Sequence, residues 1–428
     1  MIDHEMLYVH TTPQPCCQLA RQSAHVGSVG FGDLEVLLER SPLNGQVSVR
    51  ISTPLQGREA IWQHLLQDWV NQVALGDAVV TIHDNGATPV TVVRRLDELL
   101  QVGRTAPGGI VGMAWDMLQA SSFYLAEARD RARGIADAGT FRELLGPEAR
   151  FASPHLAEMG FAVQWDDGLV AGIGRLGQRL LFVLSMDGRF SGGSMGEVFG
   201  AKLVGVMRLA LQEYRRHHAG LHLPPNGPAL AILFETGGVR LQEANAGLLA
   251  NAEVMDALQD LRGKVPTIAL VGGKLGAFGG LGFVAAATDV IIMNEQGRMG
   301  LTGPKVVEQE MGTEEFDAGD LGLVWRTTGG RHRWLVRDAN YLAADRIGAM
   351  RTQLQAVLDL DGNSLEAMRR VGSRALVERE AAFVHAAIAA DVRDSRDLWR
   401  CFGNREPEEL ERLPLELFMV EARRRSQE

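Results

Sequence analysis

The chain has little of what secreted, metal-bound, membrane-spanning or nucleic-acid-binding proteins require. Its 428 residues include three cysteines, Cys16, Cys17 and Cys401. Two are adjacent and no C-x-x-C pair occurs, which argues against a disulfide framework and against a structural zinc site; no metal is expected. No window reaches about eighteen uninterrupted apolar residues, the length a membrane helix needs. Positive charge is in deficit: 43 Lys and Arg stand against 53 Asp and Glu, a net charge of -10. A nucleic-acid partner would need a basic surface to neutralise phosphates, and none is present. The dense basic run Arg423-Arg424-Arg425 reads as a solvated helix end. The first thirty residues carry Asp3 and Glu5 and no apolar stretch of signal length, so the expected compartment is a reducing cytoplasm.

Familiar catalytic signatures are missing as well. H-E-x-x-H does not occur. Gly272-Gly273-Lys274 lacks the earlier glycine of a phosphate-binding loop and is followed by Leu275. The stretch Gly280 to Ala285 fits a loose G-x-G-x-x-A but lies several residues beyond its strand, a poor place for a dinucleotide. His83 and Asp84 are neighbours on an expected strand, where successive side chains point apart, so they read as the turn after that strand rather than as a catalytic pair.

The composition, 46% hydrophobic, is that of a globular protein, and the length suggests two or three domains. Residues 1–102 alternate short apolar runs and turns. Val47 to Ile51 and Ala78 to Ile82 read as strands rich in β-branched residues, and Ile61, Leu65, Leu66, Trp69 and Val73 have helical spacing. This predicts a small α+β unit. A linker zone, 103–138, starts in turn chemistry at Thr105-Ala106-Pro107-Gly108-Gly109 and continues into a charged, helical stretch from Phe123 to Arg133. Residues 139–360 repeat strand, glycine turn and helix. Strands are expected at Leu180–Leu184, Ala229–Phe234, Val265–Val271 and Val290–Met293, with helices at about 198–216, 241–261 and up to Ala287. The pattern predicts an α/β domain with largely parallel strands. Residues 361–428 have a helical rhythm, predicting two or three helices packed on the main domain or a partner.

Three of the strand-to-helix turns carry paired glycines: Gly192-Gly193, Gly237-Gly238 and Gly279-Gly280. Glycine lets a backbone approach a ligand closely, and the first amides of a helix have no internal partner. Two such amides converging on one point stabilise a carbonyl oxygen that becomes an oxyanion. A thioester that loses CO2 from its α-carbon leaves an enolate with charge on that oxygen. Taken singly, each pair also fits a plain turn former.

One segment is more specific than these patterns. Phe234-Glu235-Thr236-Gly237-Gly238-Val239-Arg240-Leu241-Gln242-Glu243-Ala244-Asn245 resembles the signature of biotin-dependent carboxyltransferases, and more closely that of the malonate decarboxylase beta subunit. Thr140 to Pro147, Ser191 to Val198, Gly276 to Gly280 and Gly303 to Glu310 agree in order, so the resemblance spans about 138–350. It implies a crotonase-like fold of repeated ββα units. It implies that Gly237, Gly238, Gly279 and Gly280 occupy the oxyanion turns, and that Arg240, Gln242, Gly192, Gly193 and Gly303 lie around the substrate. Arg240 either binds the substrate carboxylate or braces the turn. Lys305 stands where the beta subunit usually has an acidic residue.

The N-terminal unit is similar to the same enzyme's acyl-carrier (delta) subunit, through Val26 to Leu38, Trp62 to Leu65 and His83 to Pro89. Such carriers hold a phosphoribosyl-dephospho-coenzyme A arm on a serine. Phe31 occupies that position here, and Ser28, three residues earlier, is the alternative attachment point.

The resemblance implies a decarboxylase subunit acting on malonyl thioester. Its partners would be a gamma-type subunit, an alpha-type transferase and, with Phe31 in place of serine, a separate carrier. No biotin-type Met-Lys-Met signature occurs, so no biotin is expected on this chain. Two other readings stay open: an acyl-coenzyme A carboxyltransferase with biotin elsewhere, and a scaffold whose carrier unit is inactive.

Overall fold

The computed structural model describes residues 4–11, 15, 17, 19–30, 32–54, 59–104, 121–220, 226–360, 373–392 and 394–425. Phe31 lies outside them. The N-terminal unit is a five-stranded sheet with two helices. Its strands are β1 (His4–Thr11), β2 (Ser23–Gly27), β3 (Leu34–Arg40), β4 (Gln46–Thr53) and β5 (Ala78–Asp84), in the order β1-β4-β5-β3-β2. The β4–β5 pair is parallel; the other pairs are antiparallel. Helix α1 (Glu59–Val73) links the parallel pair and buries Trp62, Leu66, Trp69 and Val70. Helix α2 (Pro89–Arg104) adds Val92, Leu96 and Leu99 to the same core, opposite Val36, Val49 and Val80. Strands β4 and β5 and helix α1 fall where the apolar spacing predicts them.

The second unit is a seven-stranded sheet in the order β12-β11-β10-β9-β8-β7-β6. Its strands are β6 (Arg142–Leu144), β7 (Leu169–Leu176), β8 (Arg179–Met186), β9 (Ala229–Phe234), β10 (Thr267–Val271), β11 (Val290–Asn294) and β12 (Tyr341–Ala343). Strands β8 to β12 run parallel, while β6–β7 and β7–β8 are antiparallel. The β9 sequence is apolar throughout because both faces are covered. Leu230, Ile232 and Phe234 enter one core; Ala229, Ala231 and Leu233 enter the other.

The linker zone is shorter than predicted. Helix α3 (Ala128–Ile135) buries Ala128, Ala132 and Ile135 against Val183, Leu233 and Leu270, so the second unit already includes Phe123. The charges that suggested a linker lie partly inside: Arg131 is buried and pairs with Glu235. A short helix, α4 (Pro154–Glu158), precedes β7. The opposite face carries α5 (Glu197–His218) and α6 (Asn245–Leu261), which place Phe199, Leu203, Val254 and Leu258 on the sheet. Then come α7 (Gly279–Ala286), α8 (Pro304–Met311), α9 (Leu321–Thr328), α10 (Gly330–Leu335) and α11 (Ile347–Leu358).

The C-terminal region holds four described helices rather than two or three: α12 (Ser373–Ala389), α13 (Ser395–Cys401), α14 (Pro407–Arg412) and α15 (Leu415–Glu421). Trp399, Leu410 and Phe418 join the main core. Arg424 of the basic run lies over the Trp334 ring, 4.5 Å from its centroid, so that run is packed rather than purely solvated. Among the described residues no helix is long and apolar enough to cross a membrane.

Candidate active site

The three glycine turns leave β8, β9 and β10 at one end of the parallel sheet and stack on one another. Isolated parallel bridges join Met195 to Val239, Thr236 to Ala277 and Ala277 to Met299. The Gly237 N–H donates to the Gly192 carbonyl at 3.0 Å, and the Met195 N–H donates to the Gly238 carbonyl at 2.9 Å. The Gly279 N–H donates to the Leu301 carbonyl at 3.0 Å. The fold thus brings the three glycine turns singled out in the sequence into contact.

Of the four expected donors, Gly280 alone keeps an amide without a partner among the described residues. The amides of Gly237 and Gly279 are engaged by backbone carbonyls, and the Gly238 N–H donates to Thr236 Oγ1 at 3.0 Å. These three glycines shape the site but have no hydrogen left for a ligand. Gly280, the second residue of α7, keeps a first-turn amide with no partner among the described residues. So does Val239, whose flanking residues make the bridge to Met195 and leave its own N–H turned the other way. The two residues adjoin: a Cβ placed on Gly280 would stand 2.9 Å from Val239 Cγ2. Sequence reasoning passed over Val239 because a valine carries no mark of close approach.

Arg240 resolves as a brace. It is fully buried, and its Nη1 donates to Asp167 Oδ1 at 2.8 Å and to Glu243 Oε1 at 2.9 Å. Its Nη2 reaches the Ser194 carbonyl at 2.8 Å and the Asp167 carbonyl at 3.3 Å, and its Nε faces Ser194 Oγ at 3.4 Å. Every guanidinium nitrogen is engaged, so no donor remains for a substrate carboxylate. Burial pushes the Asp167 carboxyl up to about 6, with Arg240 pulling the other way and Glu243 sharing the same guanidinium. Glu243 in turn accepts the Glu197 N–H at 2.7 Å, tying the β9 turn to the start of α5. Asp167 and Glu243 are thus parts of the site's frame that no motif announced.

The remaining predicted residues are placed as follows. Gln242 and Gly192 border a cavity between the two units. Gly193 is buried beneath them and donates to the Phe190 carbonyl. Gly303 caps α8, two residues beyond Leu301, and Lys305 is exposed on the first turn of that helix. Ser28 is 1% exposed, and its Oγ has no partner among the described residues. A loading enzyme has no access to that hydroxyl in this conformation. His83 and Asp84 part company as expected: His83 Nδ1 stands 3.5 Å from Glu35 Oε2, whereas Asp84 accepts from Thr53 Oγ1 at 2.7 Å. Among the described residues no group of three or more His, Cys, Asp or Glu is arranged to hold a metal ion.

The mixed sheet with stacked turns at one end is that of the crotonase-like carboxyltransferase fold. Residues 126–338 match the Carboxyl transferase domain family, and residues 21–102 match the family described as Malonate decarboxylase delta subunit (MdcD). Malonyl-S-ACP:biotin-protein carboxyltransferase MADC of Malonomonas rubra is 51% identical over 312 residues, covering 72% of this chain and 98% of that protein. The malonate decarboxylase acyl carrier protein of the same organism is 39% identical over 82 residues, or 19% of this chain and 73% of that one. A solved Pseudomonas malonate decarboxylase hetero-tetramer in complex with malonate superposes with a TM-score of 0.53 at 38% identity, covering 61% of this chain and 94% of that one. The chain belongs to the malonate decarboxylase family: a carboxyltransferase-type beta subunit with the acyl-carrier delta subunit joined to its N-terminus.

Proposed function

We propose that the chain cleaves the α-carbon to carboxylate bond of a malonyl thioester and releases CO2 without biotin. The thioester carbonyl oxygen accepts the Val239 and Gly280 N–H groups. As the bond breaks, its electron pair passes into the thioester as an enolate whose charge rests on that oxygen. Protonation at the α-carbon then gives the acetyl thioester. Each preorganised donor is worth about 3–4 kcal/mol in such a step. The observation that carries this reading is the contact of two turns, each offering an amide unpaired among the described residues.

The site stands on an open face. Leu241 and Leu301, 78% and 66% exposed, flank the turns, with Leu248, Leu249 and Phe283 also exposed on α6 and α7. A gamma-type subunit covering these side chains would complete the site and exclude water from the enolate. An alpha-type transferase would load malonate onto a phosphoribosyl-dephospho-coenzyme A arm borne by a carrier. The free thiols Cys17 and Cys401 fit a reducing cytoplasm.

The 51% identical relative is named a carboxyltransferase to a biotin protein, which supports a second reading in which the carboxylate passes to biotin. The two share the enolate step and differ in what accepts the carboxylate. The chain with its gamma-type partner is expected to release CO2 from a malonyl thioester with no biotin present. Label that leaves the thioester only when a biotinylated acceptor is added would establish the second reading instead.

A further inference from the structure

The N-terminal unit is not held at arm's length from the catalytic turns, as a shuttling carrier would be. The Val29 N–H donates to Gln164 Oε1 at 3.2 Å, and Val29 itself packs with Leu156 and Phe190 of the second unit. The Ser23 hydroxyl meets Glu148 at 3.0 Å, and Arg150 pairs with Glu39 at 2.7 Å. The His83 ring lies 3.9 Å from the Trp165 ring, centroid to centroid. These contacts pin the turn that follows β2 against the catalytic domain.

The pinned seam borders a half-open cavity of about 510 Å³. The carrier-like unit contributes Ser52, His83 and Asn85 to it, and the catalytic unit contributes Phe161, Phe190 and Gln242. It reaches Gly192, whose carbonyl holds the Gly237 amide, so it ends at the catalytic turns. The size and the mixture of apolar wall and scattered hydrogen-bonding groups suit a flexible organic chain. Among the described residues Arg189 is the one Lys or Arg in the wall, and Asp187 and Glu127 already neutralise it. Among the described residues of the wall a phosphate would find no free cation.

We infer that this cavity seats the pantetheine-type arm of the acyl thioester, and that the fused carrier-like unit serves as a fixed wall of the substrate site rather than as a moving carrier. An arm with two amides and a gem-dimethyl group matches the wall in chemical character. Its thiol end points toward Gly192 and the oxyanion turns. The thioester then comes from outside the chain, either as a free coenzyme A thioester or on a separate carrier. This rests on the malonyl-thioester reading above.

Equilibrium binding of acetyl-pantetheine to the full chain tests it. Saturable binding is expected, weakened about tenfold or more by Ser52→Trp from one wall and by Ala162→Trp from the other. Val90→Trp, on an exposed face of α2, should bind as the wild type does. Ala162 is half-buried at the rim, so its variant decides the matter where Ser52→Trp fails to fold by circular dichroism. Unweakened binding in folded Ala162→Trp, or no saturable binding to the wild type, overturns the proposal.

Competition assigns the source. Displacement by acetyl-coenzyme A marks the free thioester, and displacement by a carrier bearing the acetylated arm marks the carrier. Displacement by neither also overturns the proposal. Turnover separates the two readings. Failure of the chain with its gamma-type partner to turn over any malonyl thioester while acetyl-pantetheine binds as described sinks the decarboxylase reading alone. Normal turnover of malonyl-N-acetylcysteamine, which lacks the longer arm, with no acetyl-pantetheine binding sinks the cavity alone.

Discussion

Gly238 and Gly279 meet backbone to backbone. A Cβ built on Gly238 would stand 3.2 Å from Gly279 Cα, and one built on Gly279 would stand 3.0 Å from Gly238 Cα. Both residues have positive φ, 117° and 61°. Gly238→Ala and Gly279→Ala therefore strain the backbone and push the two turns apart. Each is expected to lower stability by more than roughly 1 kcal/mol. Displacing the Val239 and Gly280 amides should also cut CO2 release from malonyl thioester about 100-fold or more. Thermal melts and single-turnover rates separate the two effects, and near-normal rates in a folded Gly279→Ala would remove these turns from the mechanism.

Arg240 holds Asp167 and Glu243 together in the buried frame beneath the turns. Arg240→Met leaves two carboxylates without their shared cation and should cost about 3–5 kcal/mol of stability. Urea unfolding measures this. A variant that keeps wild-type stability and only raises KM would mean that Arg240 binds substrate after all.

His332 lies in the core, where its Nδ1 accepts the Trp399 Nε1–H at 3.1 Å. Burial pulls its pKa down to about 3, with Arg333 adding to the shift. Protonation would take away the acceptor and charge the core. A group whose pKa is lower folded than unfolded contributes stability that is full above the unfolded value and is lost as pH falls toward the folded value. Stability should therefore drop between about pH 6.5 and 3, approaching 1.4 kcal/mol per unit. The difference between wild type and His332→Asn in urea midpoints at pH 7.5 and 5.5 reports it. A difference that does not change with pH would contradict this assignment.

Ser28 Oγ is buried without a partner among the described residues, so Ser28→Ala should be neutral or slightly stabilising. Intact mass of the purified chain should show no added prosthetic arm, and the variant should keep wild-type activity. An added mass that Ser28→Ala abolishes would make this unit a loaded carrier.

Much of the architecture is readable from one dimension. Strands buried on both faces appear as continuous apolar runs, as at Ala229–Phe234, and α1 and α5 follow from the spacing of their apolar residues. Strands β6 and β12 are three residues long and leave no periodic signal. Helix α3 is legible as a helix, but its burial is not, because Arg129 and Arg131 look solvent-facing until Glu143, Asp166 and Glu235 are brought to them from elsewhere in the chain.

The site divides along the same line. The sequence by itself determined the family, the glycine turns and the loss of a serine at Phe31, because each is a matter of residue identity at a position. Which amides remain unpaired was decided only when the turns stacked, since a carbonyl on one turn consumes a donor on another. What Arg240 touches was decided in the same way, by acids 73 residues before it and 3 after it in the chain. Whether the N-terminal unit swings or stays fixed likewise depends on contacts such as His83 on Trp165, which exist only after the two units fold against each other.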